Sequence, residues 1–172
     1  GNIAQGKYVK KFEQKLQDFL GVKNVIVVSS GTAALHLALI SLDIKSGDEV
    51  IIPAFSFPAT ANVVEIVGAK PIFVDISLDD YCIKTSLIEK LITDKTKAII
   101  PVHEFGQPAK MDDIKKIAKK YNIKIIEDAA CALGSEFKKK KIGTLGNIGC
   151  FSFHPRKIIT TGEGGAIVTN DI

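Results

Sequence analysis

The sequence lacks the features that mark several classes of protein. Its three cysteines are an odd number and include no C-x-x-C pair, which argues against a disulfide framework and a zinc site. No apolar run is long enough to span a membrane. The formal net charge of +4 is spread over many lysines, a balance too mild and too dispersed to indicate a nucleic-acid partner. We therefore expect a protein of the reducing cytoplasm that acts without a membrane or a nucleic acid.

What the sequence does contain is a series of short strand-like runs separated by helical patterns. The runs, rich in β-branched residues, cover residues 24–28, 50–52, 71–74, 98–102, 123–126, 148–153 and 166–169. Continuous apolar runs are typical of strands buried on both faces. Their alternation with helices predicts a three-layer α/β/α sandwich around a seven-stranded, mainly parallel sheet. The last strand follows its predecessor with no room for a crossover helix, so we expect it to be antiparallel.

The helical segments follow from apolar residues at helical spacing. They cover residues 9–20, 33–42, 57–67, 85–92 and 111–121. Gly21 ends the first helix, and Pro58 is expected in the first turn of the third. The lysine run at residues 138–141 lies between short strand-like pieces and predicts a solvated hairpin rather than a phosphate-binding patch.

A single lysine, Lys157, lies just beyond the sixth strand and before the glycine-rich stretch at residues 162–165. The carboxyl ends of parallel strands line the crevice where open α/β sheets bind ligands. A lysine at that place can present a free amine that condenses with a carbonyl. By spacing alone, however, a lysine after a strand is more often an ordinary solvated loop residue.

Two further segments end buried strands with polar groups. Residues 29–32, Ser-Ser-Gly-Thr, join the first strand to a helix N-terminus, where free amides and the helix dipole favour a phosphate. Gly31 would allow close approach, and Thr32 would add a hydroxyl; an N-cap with a turn glycine explains the same residues. Asp128 ends the fifth strand after apolar residues, so its carboxylate must be paired, bound to a cation or protonated. A protonated ring nitrogen would be one such partner, and a structural salt bridge or helix cap another.

Lys157, Asp128 and the Gly31-Thr32 loop all follow carboxyl ends of predicted parallel strands. They would therefore meet at one rim of the sheet as an amine, a carboxylate and a phosphate cradle. Pyridoxal 5'-phosphate (PLP) needs those three groups, for its aldehyde, its pyridine nitrogen and its phosphate.

The sequence resembles the N-terminal half of the DegT-like sugar-nucleotide aminotransferases, PLP enzymes of fold type I. The matching blocks, in chain order, are residues 5–6, 8–9, 30–38, 47–50, 53–57, 59–62, 101–103, 106–108, 127–130, 151–155, 157 and 169–171. The resemblance implies that residues 1–172 are the PLP-binding large domain, with the small C-terminal domain of the family absent from this chain.

The resemblance also implies roles for individual residues. Lys157 would carry the cofactor covalently and act as the general base. Asp128 would keep the pyridine nitrogen protonated, and Phe57 would stack on the ring. The phosphate would be held by Gly31, Thr32 and Ser152. Cys131 stands where the family usually has glutamine or histidine near the ring hydroxyl, and a thiol is a weaker hydrogen-bond donor.

The activity implied is transfer of an amino group, with glutamate as donor, to a keto-sugar nucleotide in amino-sugar and cell-surface polysaccharide biosynthesis. Because family sites lie at a subunit interface, a homodimer is expected. One alternative is a sugar dehydratase of the same family, although those members carry histidine at the position of Lys157. The other is a catalytically incomplete fragment, because the family continues for about as long again beyond the last strand.

Overall fold

The computed structural model describes residues 6–171, which form five helices and nine strands. Gln5, which belongs to the first block of the resemblance, lies outside the described residues. The helices are α1 Lys7–Leu20, α2 Gly31–Ser41, α3 Ala59–Ile66, α4 Thr85–Ile88 and α5 Met111–Tyr121. The strands are β1 Asn24–Val28, β2 Glu49–Pro53, β3 Lys70–Val74, β4 Thr96–Ile99, β5 Lys124–Asp128, β6 Glu136–Phe137, β7 Lys140–Lys141, β8 Ile148–Ser152 and β9 Gly165–Thr169. Short 3-10 turns cover Glu89–Leu91 and Glu104–Gly106.

Seven of the strands form one sheet in the order β1-β9-β8-β5-β4-β2-β3. The last strand, β9, runs antiparallel to both of its neighbours, and every other pair in the sheet is parallel. Both features confirm the prediction. Since β1 and β8 are each antiparallel to β9, they are parallel to one another. The carboxyl ends of β1, β8 and β5 therefore meet at the same edge of the sheet.

Helices cover both faces of this sheet, which confirms the three-layer sandwich. One apolar cluster joins α2 and α3 to one face, and two others join α1, α4 and α5 to the opposite face. Neighbouring residues of β2 show the alternation: Val50 and Ile52 belong to the first cluster, and Ile51 to the second. Successive side chains of a strand point to opposite faces, so a strand between two helical layers must be apolar throughout.

The structure differs from the predicted elements where proline intervenes. The third helix begins at Ala59 with Pro58 as its N-cap. The ring of a proline disfavours the helical conformation of the residue before it, which here is Phe57. Phe57 is therefore in the connecting segment and not in the helix. Likewise β4 ends at Ile99, and only an isolated bridge between Val102 and Asp128 continues its pairing past Pro101.

The lysine run forms the predicted hairpin. Strands β6 and β7 pair antiparallel, and Lys138 and Lys139 between them have φ of 50° and 65°. Two consecutive positive φ angles are those of the tight turn that matches the twist of a hairpin. The segment at residues 85–92 is shorter than predicted as an α-helix, because α4 gives way to a 3-10 turn at Glu89. Across residues 6–171, none of the helices has the length and apolar content that a membrane span requires.

Because α2 packs against the sheet, we expect two leucines two positions apart to contribute unequally to the free energy of unfolding. Leu39 is 0% exposed, whereas Leu37 is 44% exposed. Leu39→Ala should lower the free energy of unfolding by about 2–5 kcal/mol, because it leaves a cavity in the core. Leu37→Ala is the matched control and should change it by no more than about 0.5 kcal/mol. Urea denaturation of both variants measures the difference; equal losses would contradict this packing.

Candidate active site

A cleft of about 550 Å³ opens at the carboxyl edge of the sheet, next to the N-terminus of α2. The segments that line it follow β1, β2, β4, β5 and β8. All the residues singled out from the sequence line this one cleft, namely Gly31, Thr32, Phe57, Asp128, Cys131, Ser152 and Lys157. The structure thus brings together groups that are up to 126 positions apart in the chain (157 − 31). Their individual roles stay predictions.

The N-terminus of α2 forms one end of the cleft. Ser30 is the N-cap, and its Oγ accepts a hydrogen bond from the amide of Ala33 at 3.0 Å. The capping interpretation of this segment is therefore right. It leaves the first amides of the helix, those of Gly31 and Thr32, without an acceptor inside the helix. Amides in that position, with the helix dipole behind them, attract an anion.

Gly31 is required by the close approach of α2 to the end of β8. A Cβ atom at Gly31 would lie 2.8 Å from the Cβ of Ser152, closer than two such atoms can approach. The absence of that atom lets the Ser152 side chain sit directly beside the first turn of α2. A backbone amide pair and a serine hydroxyl consequently face the same part of the cleft, which is the donor set that a phosphate needs.

Asp128 forms the second part of the site. It is 5% exposed, and its Oδ2 accepts a hydrogen bond from Thr60 Oγ1 at 2.9 Å. Its Oδ1 accepts one from the amide of Ala130 at 3.2 Å. Burial raises the pKa of the Asp128 carboxyl above its usual value, and these two hydrogen bonds oppose the rise. A cationic N–H placed against the carboxylate would favour its charged form, so the residue suits a protonated ring nitrogen.

The neighbouring Glu127 has a different function in the structure. It is completely buried and accepts hydrogen bonds from the amides of Gly143, Leu145 and Gly146 at 2.9, 2.6 and 2.5 Å. His103 Nε2 lies 3.1 Å from Glu127 Oε2, the oxygen that also accepts from Gly143. Because His103 Nδ1 accepts from a backbone amide, Nε2 carries the proton and donates. Glu127 therefore joins β5 to a distant loop, and His103 is a buried partner of Glu127 rather than a residue of the cleft lining.

Lys157 and Cys131 contact one another inside the cleft. Lys157 Nζ donates a hydrogen bond to Cys131 Sγ at 3.1 Å, and both side chains are half-buried. The backbone of the lysine is held by a hydrogen bond from its amide to the carbonyl of His154 at 2.9 Å. The lysine is therefore not a solvated loop residue: its amine points at a sulfur in the binding cleft.

Glu104 is a cleft residue that the sequence analysis missed. It lies in the 3-10 turn after β4 and lines the cleft. Its Oε2 is buried and has no hydrogen-bond partner in the part of the chain that the structure describes. Burial raises the pKa of the Glu104 carboxyl, the charge of Asp128 raises it further, and Lys157 acts in the opposite direction. No sequence pattern marks this position beyond an acidic residue near a strand end.

Phe57 and Thr60 show the consequence of the shortened third helix. Phe57 is 73% exposed and lies in the lining of the cleft, where its ring face is free to cover a flat ligand. Thr60, three residues later, is buried, and its hydroxyl donates a hydrogen bond to Asp128. The same Oγ1 lies 2.9 Å from Ser56 Oγ. Thr60 is the second site residue that the sequence did not indicate, because a hydroxyl near a helix start is usually a cap.

The donor set of the cleft fits PLP. An amine, a buried carboxylate that forms no salt bridge within residues 6–171, and an anion-binding helix N-terminus with a serine hydroxyl beside it line one cavity. An α/β/α sandwich with these groups at the carboxyl edge of its sheet indicates the class of PLP-dependent enzymes.

Comparison with known proteins identifies the family. The sequence profile of the DegT/DnrJ/EryC1/StrS aminotransferase family matches residues 1–172, and the chain belongs to this family. A structure from Streptococcus pneumoniae in its PLP form has a TM-score of 0.94 and 35% identity, over 100% of this chain and 48% of that chain. Members of the family depend on PLP, which agrees with the cofactor predicted from the sequence.

Two relatives are close in sequence. GDP-perosamine synthase of Escherichia coli O157:H7 is 48% identical over 168 residues, which are 98% of this chain and 46% of that protein. UDP-2-acetamido-2-deoxy-3-oxo-D-glucuronate aminotransferase of Pseudomonas aeruginosa is 45% identical over 172 residues, 99% of this chain and 48% of that protein. The chain thus spans less than half the length of these relatives.

The buried Oε2 of Glu104, which has no hydrogen-bond partner within residues 6–171, predicts a pH-dependent stability. Its pKa is raised in the folded protein, so the folded state keeps the proton where the unfolded state has lost it. Stability is then lost as the pH rises from the ordinary glutamate value of 4.5 through the raised one. Glu104→Gln should raise the Tm of the cofactor-free protein, with a gain that grows as the pH rises above 4.5.

Thermal unfolding across this pH range measures the gain, with the exposed Glu65→Gln as the matched control. A gain that is the same at every pH, or a loss, would show that the Glu104 carboxylate is not destabilised by its surroundings.

Proposed function

We propose that this chain is the PLP-binding large domain of an aminotransferase that moves the amino group of glutamate to a keto-sugar nucleotide. The product would be an amino sugar for cell-surface polysaccharides. The observation that carries the proposal is the single cleft shared by Lys157, Asp128 and the N-terminus of α2. Two relatives that are 45–48% identical are named for GDP- and UDP-linked sugars, which supports a nucleotide-linked sugar as the substrate class.

Each part of the cofactor has a group in the cleft that suits it. The Lys157 amine would carry PLP covalently, and the Asp128 carboxylate would face the pyridine nitrogen. The phosphate would take the amides and hydroxyls of Gly31, Thr32 and Ser152, while Phe57 would cover the ring. When bound, PLP supplies an electron sink for the bond that is broken at the amino-bearing carbon.

Lys157 is the group that would move protons at the reacting carbon. Its Nζ is held by one hydrogen bond to a sulfur, at 3.1 Å, and a thiol is a weak hydrogen-bonding group. Among the described residues the amine forms no salt bridge that would keep it from reaching a substrate. A base on a flexible stem beside the reacting atom is the arrangement that general acid–base catalysis requires.

Asp128 would act through charge rather than through proton transfer. Burial disfavours its ionised form, and the hydrogen bonds from Thr60 and Ala130 compensate in part. A ring N–H⁺ against this carboxylate would offset more of that cost, since the attraction between two opposite charges opposes the desolvation penalty of each. The pair would keep the ring protonated and so maintain its capacity to accept electrons.

The remaining parts of the proposal concern the whole protein. We infer a cytoplasmic homodimer in which a smaller second domain and the partner subunit complete the substrate site around this large domain. Neither a nucleic acid nor a membrane takes part. The exposed Phe57 at the cleft opening suits a site that is covered further by another chain or domain.

Covalent labelling tests the cofactor and its attachment point. We expect PLP followed by borohydride to leave a pyridoxyl group on the peptide containing Lys157, found by mass mapping. Lys157→Ala should abolish the adduct and the associated visible absorbance, because no other lysine of residues 6–171 lines the cleft. Lys84→Ala, an exposed lysine outside the lining, is the control and should label as the wild type does.

Labelling spread over surface lysines, or retained in Lys157→Ala, would exclude this cofactor site. The reaction itself is tested on the full-length protein, with glutamate and a keto-sugar nucleotide, by formation of 2-oxoglutarate. Labelling of Lys157 without 2-oxoglutarate would keep the cofactor site and reject the proposed donor or substrate.

The role of Gly31 in holding phosphate gives a separate test. In Gly31→Ala the new Cβ would push against Ser152 and move the first turn of α2. Affinity for PLP should fall about tenfold or more, since a hydrogen bond to a charged group contributes about 1.5–3 kcal/mol. Affinity for pyridoxal, which has no phosphate, should change much less. Fluorescence titration of both compounds measures the two affinities.

Gly47→Ala, in the turn between α2 and β2 and outside the cleft lining, controls for the loss of any glycine. It should leave the preference for PLP over pyridoxal unchanged. Equal losses for PLP and pyridoxal in Gly31→Ala would mean that this turn does not hold the phosphate.

A further inference from the structure

The proposed transamination does not explain the contact between Cys131 and Lys157. Amino-group transfer requires a lysine, but it does not require a thiol. Here a thiol sulfur lies 3.1 Å from the lysine nitrogen, and both groups line a cleft that is open to solvent. A nucleophilic sulfur and a nucleophilic nitrogen in contact can be joined by an oxidant that first reacts with one of them.

The other two cysteines of the chain are protected from such an oxidant. Cys82 and Cys150 are each 1% exposed. Burial raises the pKa of the Cys82 thiol to about 11 and that of the Cys150 thiol well above its ordinary value. The thiolate is the form that reacts with peroxide, so both are poor targets. Cys131 is the half-buried thiol that faces the cleft.

We propose that Cys131 and Lys157 are an oxidative modification site, at which peroxide produces a covalent bond between Sγ and Nζ and so blocks the lysine. This inference does not rest on the proposed function, because it concerns two side chains of this chain in direct contact. It adds a reaction of the cofactor-free cleft.

The chemistry proceeds in two steps. In the first, hydrogen peroxide oxidises the Cys131 thiol by two electrons: its O–O bond breaks, one oxygen joins the sulfur as a sulfenic acid, and the other leaves as water. In the second, the lone pair of the Lys157 amine attacks that sulfur. The S–O bond breaks, the oxygen leaves with an amine proton as a second water, and a sulfenamide remains.

The geometry favours this outcome over further oxidation. A sulfenic acid that meets no nucleophile goes on to sulfinic and sulfonic acids. At Cys131 the nitrogen is already in contact with the sulfur, and the long lysine side chain can close the remaining distance without movement of the backbone. The closest competitor for the amine is the cofactor, since a nitrogen bound to PLP is not available to sulfur.

The experiment uses the cofactor-free protein treated with hydrogen peroxide and analysed by intact mass and peptide mapping. We expect a product roughly 2 Da lighter than the untreated protein, because two hydrogens leave when a sulfenamide forms. Trypsin should no longer cut after Lys157, and the peptides containing Cys131 and Lys157 should be found joined. Dithiothreitol should restore the original mass and cleavage.

Two cysteine variants make the assignment specific. Cys131→Ser should give no joined peptides, and Cys150→Ser should give as many as the wild type; circular dichroism confirms that both are folded. Saturation with PLP before peroxide should reduce the joined peptides several-fold. Oxygen atoms accumulating on Cys131 while Lys157 stays free, or cross-linking that persists in Cys131→Ser, would overturn the proposal.

Discussion

The hydrogen bonds to the buried carboxylate of Glu127 hold the centre of the sheet's carboxyl edge in place. Its oxygens take amide hydrogens from the loop at residues 143–146 and face the N–H of His103. These hydrogen bonds connect β5, which carries Glu127, to the loop before β8 and to the segment after β4. A buried charge is stable only when such partners satisfy it. Removing one of them would leave the Glu127 carboxylate less well satisfied in the core, so this one group links β5 to the segments beside β4 and β8.

The two neighbouring acids have separate places: the Asp128 carboxylate lines the cleft, and the Glu127 carboxylate binds buried amides in the core. Adjacent residues of a strand point to opposite faces, and here one acid faces the loop at 143–146 while the other faces Thr60 of α3. Each is buried, but Glu127 has its acceptors satisfied by amides, whereas Asp128 keeps capacity for a further donor. The same dipeptide thus supplies both the rigidity of the edge and the charge that a ring nitrogen can meet.

The site residues at strand ends could be predicted from the sequence. Those whose place depends on the conformation of a loop could not. Asp128, Lys157 and Gly31 follow directly from alternating strands and helices, because parallel strands bring their carboxyl ends together. Glu104 was missed, since its place in the cleft comes from a 3-10 turn in which Phe105 adopts φ 53°, an unusual conformation for an aromatic residue. His103 also lies near a strand end, but nothing in the local sequence indicates that its side chain turns inwards to Glu127.

The two ends of the cleft hold a ligand with different kinds of group, backbone groups at one end and side chains at the other. Substitutions can therefore change the chemistry of the site at the second end more readily than at the first. At α2 the groups are backbone amides and the space left by a glycine against Ser152, so a phosphate is held by the course of the chain itself. Around Lys157 the groups are side chains: a thiol, a buried carboxylate and an oxygen of Glu104 that has no hydrogen-bond partner in the described part of the chain. Replacing one of these changes charge or hydrogen bonding without moving the backbone. The anchoring of a cofactor is therefore a property of the fold, whereas the reactivity of the lysine is determined by the few side chains around it.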